Sequence, residues 1–172
     1  MSYHAEILSL AKLLNEDLST LGATQRETPY VSVEVSEFDL VITNRALRAK
    51  TEKLFKDGHY ARAVEESYKL LDNLVKKQAG LSGSSLTGAP LMESVFSANN
   101  PKLRLNTGIS TSEKDEQKGY MMVFAGCMTG IRNPRAHESD WEDTEERALQ
   151  LLTFANHLIE RTLLATKQTA ST

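Results

Sequence analysis

Along most of the chain the apolar residues recur every three or four positions rather than every two, the spacing that gathers them on one face of a helix. In the first segment Tyr3, Ile7, Leu10, Leu14, Leu18 and Leu21 make one narrow seam ending near Gly22, which predicts an N-terminal helix suited to docking or pairing. The stretch ATQRETPYVSVEVSEF is polar and then alternates Val31, Val33 and Val35 with Ser and Glu, so it reads as a linker or at most one short strand. A second helix is expected from about Phe38 to Lys56, burying Leu40, Val41, Leu47, Leu54 and Phe55, with Gly58 as its stop. The third runs from His59 or Tyr60 to about Lys77. It turns Ala63, Val64, Tyr68, Leu71 and Val75 inward and leaves Glu65, Glu66, Lys69, Asp72 and Lys76 largely outward.

The glycines and serines of residues 79–90 predict a loop, since so flexible a stretch cannot continue a helix without a heavy entropic cost. Pro90 opens a short helix carrying Leu91, Met92, Val95 and Phe96, closed by Asn99, Asn100 and Pro101. Thr111 and Ser112, with Glu113, Asp115 and Glu116 behind them, set hydroxyl caps and negative charge at a helix N-terminus. That helix carries Tyr120, Met121, Phe124, Cys127, Met128 and Ile131 inward and is expected to stop at Asn133, because Pro134 disfavours helical backbone in the residue before it. A last helix starts after residues 140–144 and keeps Leu149, Leu152, Phe154, Ala155, Leu158, Ile159 and Leu163 in register before a polar, disordered tail. The sum is an all-α helical bundle with an extra N-terminal helix: residues 1–36 as helix and linker, 37–166 as the helical domain, 167–172 as tail.

At 172 residues, 40 % of them hydrophobic, the chain has room for one domain with a core. Its net charge of −3 supplies no overall positive field to recruit nucleic acid or an anionic membrane, so any polyanion site must be local. One cysteine, Cys127, excludes an intramolecular disulfide framework; set among apolar helix neighbours, it reads as a small core residue rather than a nucleophile. The N-terminus carries Glu6 and no unbroken apolar run, so neither export nor membrane insertion is expected, and a reducing cytoplasm is the expected location. Dinucleotide, P-loop and nucleophile-elbow motifs are absent. His4, His59, His137 and His157 lack the spacing that presents two imidazoles to one metal, so neither a metal nor another cofactor is expected.

One constellation stands apart. The segment GIRNPRAHE gathers Arg132, Asn133, Arg135, His137 and Glu138 around a proline at the end of a long helix. A guanidinium beside an imidazole suits phosphodiester cleavage by a neighbouring 2′-hydroxyl: the imidazole moves a proton, and the guanidinium offsets charge growing on the phosphorane oxygens, with no metal required. The same residues also fit a structural role, in which Arg132 and Arg135 cap carbonyls at the helix C-terminus and pair with Glu138 or nearby acids while His137 donates an orienting hydrogen bond.

The pattern Arg132-Asn133-x-x-x-His137 at the end of a long helix in an all-α chain resembles the signature of the HEPN superfamily. More narrowly, GHYARAVEESYKLLDNLVKK, LMESVFS and DEQKGYMMVFAGCMTGIRNPRAHE, in this order, resemble the Ymh-type family of bacterial and prophage proteins of unknown function, over roughly residues 40 to 160. The resemblance implies a HEPN-like bundle of four to five helices, usually a homodimer, in which the motifs of two subunits meet to form a metal-independent endoribonuclease site. Many such proteins act in phage defence, toxin–antitoxin pairs or RNA processing, and some only bind. It implies Arg132 and His137 as the catalytic pair and Asn133 as the polar residue orienting one of them. Arg135 and Glu138 are supporting candidates. Within the matching third helix Glu65, Glu66 and Lys69 are candidates too, although on a helix surface they equally fit solvated charges.

Cleavage through a cyclic phosphate needs one group to take a proton and another to give one, and the motif offers a single histidine per chain. A two-fold axis would supply two His137 and two Arg132, or Glu138 would serve as the second proton handler. Residues 43–77 hold nine basic and five acidic side chains, a local net of +4 on which an RNA track can lie. Directly after the motif, Glu138, Asp140, Glu142, Asp143, Glu145 and Glu146 face Arg147 alone, a run that repels phosphate unless it points away, binds a partner or is a solvated helix start. Trp141 within it either stacks on a base or packs the loop onto the bundle. The expected function is a homodimeric ribonuclease acting on RNA, with an antitoxin or defence-system protein as a further partner and no membrane. The alternatives are a non-catalytic module binding RNA, a nucleotide or a protein, and an assembly module built on the first helix.

Overall fold

The computed structural model describes residues 36–168 together with Leu13. The N-terminal seam and the possible strand at Val31 to Val35 lie outside the described residues. What is described is an all-α bundle: α1 Glu37–Val41, α2 Arg45–Lys56, α3 Tyr60–Ala79, α4 Gly88–Val95, α5 Thr111–Cys127, a π-helical turn Met128–Arg132, α6 Asn133–His137 and α7 Glu145–Leu163. One two-stranded antiparallel ribbon accompanies it, β1 Leu103–Arg104 pairing with β2 Thr166–Lys167 in the register Leu103 to Lys167. Thr166 and Lys167 are therefore strand rather than the start of a loose tail. The Gln168 amide extends the ribbon by donating to the Lys102 carbonyl at 2.9 Å.

The central element is α3, which packs on α7 along one side, on α2 along another, and touches α4, the π turn and α6. Its inward positions Ala63, Val64, Tyr68, Leu71 and Val75 are fully buried, as the 3.6-residue period requires. Glu65 and Asp72, expected outward, are buried as well. Asp72 has a task there: its carboxylate accepts from the Gly88 amide at 2.7 Å and the Thr87 hydroxyl at 3.0 Å, satisfying the first free amide of α4.

The single helix expected over Phe38 to Lys56 is broken in two. Asn156 of α7 accepts from the amides of Thr43 and Asn44 at 3.1 and 2.9 Å, which holds those residues out of helical pairing. Asn44 then caps α2 by accepting from the Ala46 and Leu47 amides. The break rotates Leu40 and Val41 into solvent and buries Phe38 and Ile42 instead. In α7 the buried set is Ala148, Leu152, Ala155, Asn156, Leu158, Ile159 and Thr162, while Phe154 and Leu163 are exposed, contrary to the register expected for them.

The start of α5 is capped by Ser110 rather than Thr111 or Ser112, through a reciprocal box in which Ser110 accepts from the Glu113 amide and Glu113 accepts from the Ser110 amide. Pro134 does not end this helix. The backbone widens into the π turn, the Asn133 amide pairs with the Met128 carbonyl five residues back, and Asn133 keeps helical angles of φ −63° and ψ −43°. A proline lacks a donor and crowds the carbonyl four residues behind it, and a π turn is one of the few places where a helical run absorbs both defects. Behind it, Phe124 stacks on Phe96 at 4.2 Å. Cys127 is buried, and burial pushes its thiol up to about 11, which removes it as a nucleophile at neutral pH. Among the described residues no helix is long and apolar enough to cross a membrane.

Candidate functional site

Two chain reversals define the site. Between α2 and α3 the chain turns at Gly58, whose φ of 80° is left-handed. The His59 amide there bonds back to the Leu54 carbonyl at 2.8 Å, the six-to-one bond that closes a helix. His59 thus becomes the N-cap of α3, with its side chain making no capping bond. The second reversal follows α6, where Glu138 leaves the helix in extended backbone and the chain loops through Trp141 to the N-cap Thr144.

Arg135 fixes that loop. Its Nε and Nη2 donate to the two oxygens of Asp143, each at 2.6 Å, and its Nη1 donates to the Ile131 carbonyl at 2.7 Å. The two side chains are 2 % and 0 % exposed. The guanidinium also lies 5.4 Å from the Trp141 ring centre. With Nε and Nη2 spent on the loop and Nη1 on the π turn, Arg135 holds structure; its acid is Asp143 and not Glu138.

Between the two reversals lies an open cleft of about 710 Å³, walled by Gly58 to Arg62 and Glu65 on one side and by residues 135–139 and 141–143 on the other. His137 and Glu138, both exposed, line it. His59, also exposed, lines the opposite wall. Nothing in the sequence joins His59 to the motif, because only the packing of the start of α3 against the post-α6 loop brings the two imidazoles to one cavity. Arg132 does not line this cleft; half-buried, it donates to Asn133 Oδ1 at 3.1 Å. The motif's two polar neighbours are thus paired with each other, and of Arg132 and His137 only His137 lines the cleft.

Glu65 lies in the cleft wall. Burial raises its carboxyl, yet Lys69 and Arg62 outweigh that and hold it below the usual range, through contacts of 2.7 and 2.6 Å. Glu66 shares the same cations, so Arg62, Glu65, Glu66 and Lys69 form one ion-paired network along α3 instead of separate solvated charges. The acids of residues 43–77 are all paired in this way, each of the five with a basic residue of the stretch, and Arg48 pairs with Asp39; the surplus of positive charge stays, with Arg45, Lys50 and Lys77 outside any ion pair among the described residues. Of the acids after the motif, Asp143 is consumed by Arg135 and Arg147, and Glu145 accepts from the Tyr60 hydroxyl at 3.0 Å. Glu138 and Glu142 remain exposed at the cleft. The Trp141 indole nitrogen, enclosed in the same wall, has no acceptor among the described residues. His157 pairs with the Tyr120 hydroxyl at 2.7 Å, away from the cleft.

No group of three His, Cys, Asp or Glu side chains among the described residues is arranged to hold a metal ion. What the cleft offers is proton transfer by two imidazoles and a carboxylate at Glu138.

Neither the curated proteins nor the solved structures contain a match to this chain. A family model does match it over residues 43–162, the span from the break before α2 to the last turn of α7, and it includes every element that builds the cleft. The chain therefore belongs to the Hypoth_Ymh family, described as a protein of unknown function.

Proposed function

We propose that the protein is a metal-independent endoribonuclease of HEPN type, active as a homodimer. The observation that carries this reading is the position of His137: it ends the helical run that bears Arg132 and Asn133, and it opens onto a cleft large enough for a nucleotide unit. In this reading His137 moves a proton while the 2′-hydroxyl attacks phosphorus, and Arg132 offsets the charge on the phosphorane. Arg132 lies outside its own chain's cleft, so it acts on the substrate only if a second copy brings it there, which is what a two-fold axis through the motif would do. An exposed face of α5 and the π turn, with Met122, Val123, Gly126 and Gly130, leads directly to Arg132 and Asn133 and suits such a contact.

A second reading is favoured by one feature. With its histidines neutral, the cleft carries exposed Glu138 and Glu142 against one partly exposed cation, Arg62, which works against a phosphate backbone. Of the non-cutting alternatives this favours the one in which the module binds a partner protein.

Incubation of the chain with RNA in EDTA separates the two. The nuclease degrades RNA, spares DNA, leaves 2′,3′-cyclic phosphate ends and loses activity in His137→Ala and Arg132→Ala. Undiminished cleavage by both variants removes those roles, and absence of cleavage with equal ligand binding by wild type and His137→Ala selects the binding module.

A further inference from the structure

Resting on the nuclease reading, we propose that His59 is the second proton-transfer group, so that one chain's cleft holds both imidazoles needed for transesterification. The motif supplies one imidazole; the chemistry needs two groups, because the proton taken from the 2′-oxygen and the proton given to the 5′-oxygen are different protons on opposite sides of the phosphorus. His59 and His137 line the same cleft from opposite walls, one at the start of α3 and the other at the end of α6. Both are exposed, and the His59 side chain makes no capping bond to its helix. The first turn of α3 lies in the same wall and has no side-chain cap, which leaves an anion-compatible helix end there.

The step balances without an oxidant or a metal. A neutral imidazole takes the 2′-hydroxyl proton as the 2′-oxygen bonds to phosphorus, the bond from phosphorus to the 5′-oxygen breaks, and the other imidazole, starting protonated, gives its proton to that oxygen. The products are a 2′,3′-cyclic phosphate and a 5′-hydroxyl, and solvent exchange resets the two rings. The charged groups facing the imidazoles are Arg62 and Glu65 on α3, the Arg135–Asp143 pair, Glu138 and Glu142, with Asp57 beside His59 on its own turn. The two-fold partner is then needed for Arg132 and not for a second histidine.

The test has a binding arm and a cleavage arm on the full chain. In the binding arm, the imidazole proton resonances of His59 and His137 are followed by NMR during titration with a nucleoside 3′-monophosphate. Both are expected to shift with one dissociation constant, and a His59 resonance that stays still while His137 saturates overturns the proposal. In the cleavage arm, His59→Ala and His59→Gln are each expected to lower the rate by roughly 10²–10⁴-fold and to remove one limb of the pH–rate profile, with circular dichroism and Tm unchanged. His137→Ala removes the other limb. A wild type that cuts while both His59 variants cut equally well overturns the role of His59 and leaves the nuclease reading standing; a wild type that does not cut overturns both. Mixing His59→Ala with His137→Ala is expected to restore nothing, because neither chain holds both rings, and recovery on mixing would show that the pair is assembled between chains instead.

Discussion

Arg135 and Asp143 are locked by two parallel hydrogen bonds of 2.6 Å with almost no exposure, and this fork is what gives the cleft its second wall. Such a pair is asymmetric in its energetics. Removing one partner strands a buried charge, whereas replacing both with apolar groups of like volume removes the stranded charge. Arg135→Met is expected to cost about 3–5 kcal/mol, and Arg135→Met with Asp143→Leu to recover most of it, read from urea midpoints. Equal stability of Arg135→Met and wild type would show that the fork contributes nothing.

Asn156 makes a comparable but smaller prediction. Its side-chain oxygen is the acceptor for the Thr43 and Asn44 amides, and its own nitrogen donates to the Thr43 hydroxyl. Asn156→Ala takes that acceptor from the amides of Thr43, which is exposed, and Asn44, which is half-buried, a loss of about 0.5–1.5 kcal/mol for each hydrogen bond. Hydrogen exchange at residues 43 and 44 is expected to accelerate in the variant beyond the change at the centre of α3. Uniform acceleration across the chain would instead mean that the bridge is not what holds the break.

These two residues also mark where the sequence was readable and where it was not. The inward face of α3 and the start of α7 follow from spacing and from capping chemistry, both local properties. The break at Thr43 and Asn44 is imposed by a side chain far along the chain, and no window around it carries that information. Pro134 misled for a related reason: the rule for the residue before proline describes an unstrained backbone, and packing of the π turn against α3 overrode it. The motif of Arg132, Asn133 and His137 was visible as a pattern, but its geometry was not. Local spacing left open whether Arg135 was structural, since its partner depends on how the loop after α6 returns. That His59 lines the same cleft as the motif was invisible because a lone histidine at a helix start has no local signature.

The capping box predicts a specific pH response. Hydrogen bonds from the Ser110 backbone first, then from Thr107, lower the Glu113 carboxyl from 4.5 to about 2. A carboxyl depressed in the folded state contributes stability above its unfolded value, and that contribution is lost as pH falls through the folded value. The Tm difference between wild type and Glu113→Gln is therefore expected to be full at pH 6, to shrink between about 4.5 and about 2, and to vanish below that. A difference that persists unchanged at the acid end would assign the effect to shape rather than charge.

Trp141 is the chain's single tryptophan, and it lines the cleft with its ring beside Arg135 and its indole nitrogen unpartnered. Emission from this residue is expected to change on titration with a nucleoside 3′-monophosphate, with the same midpoint as the imidazole resonances. Binding without any change in emission would place the ligand elsewhere on the molecule.

The two-fold arrangement proposed for Arg132 depends on close approach along the exposed face of α5 and the π turn. A Cβ added at Gly126 meets nothing within 4 Å, so the chain itself accepts a side chain there. Gly126→Ala is expected to stabilise an isolated chain by about 0.5–1 kcal/mol, the gain of alanine over glycine inside a helix. Gly126→Arg keeps the fold for the same steric reason, but it sets seven heavy atoms and a charge into any contact formed on that face. Light scattering is expected to give a dimer for wild type and a monomer for Gly126→Arg, with cleavage lost in the monomer because Arg132 is no longer delivered. A monomeric wild type that cuts RNA, or a Gly126→Arg chain that remains dimeric, would place Arg132 in some role other than the one derived from this face.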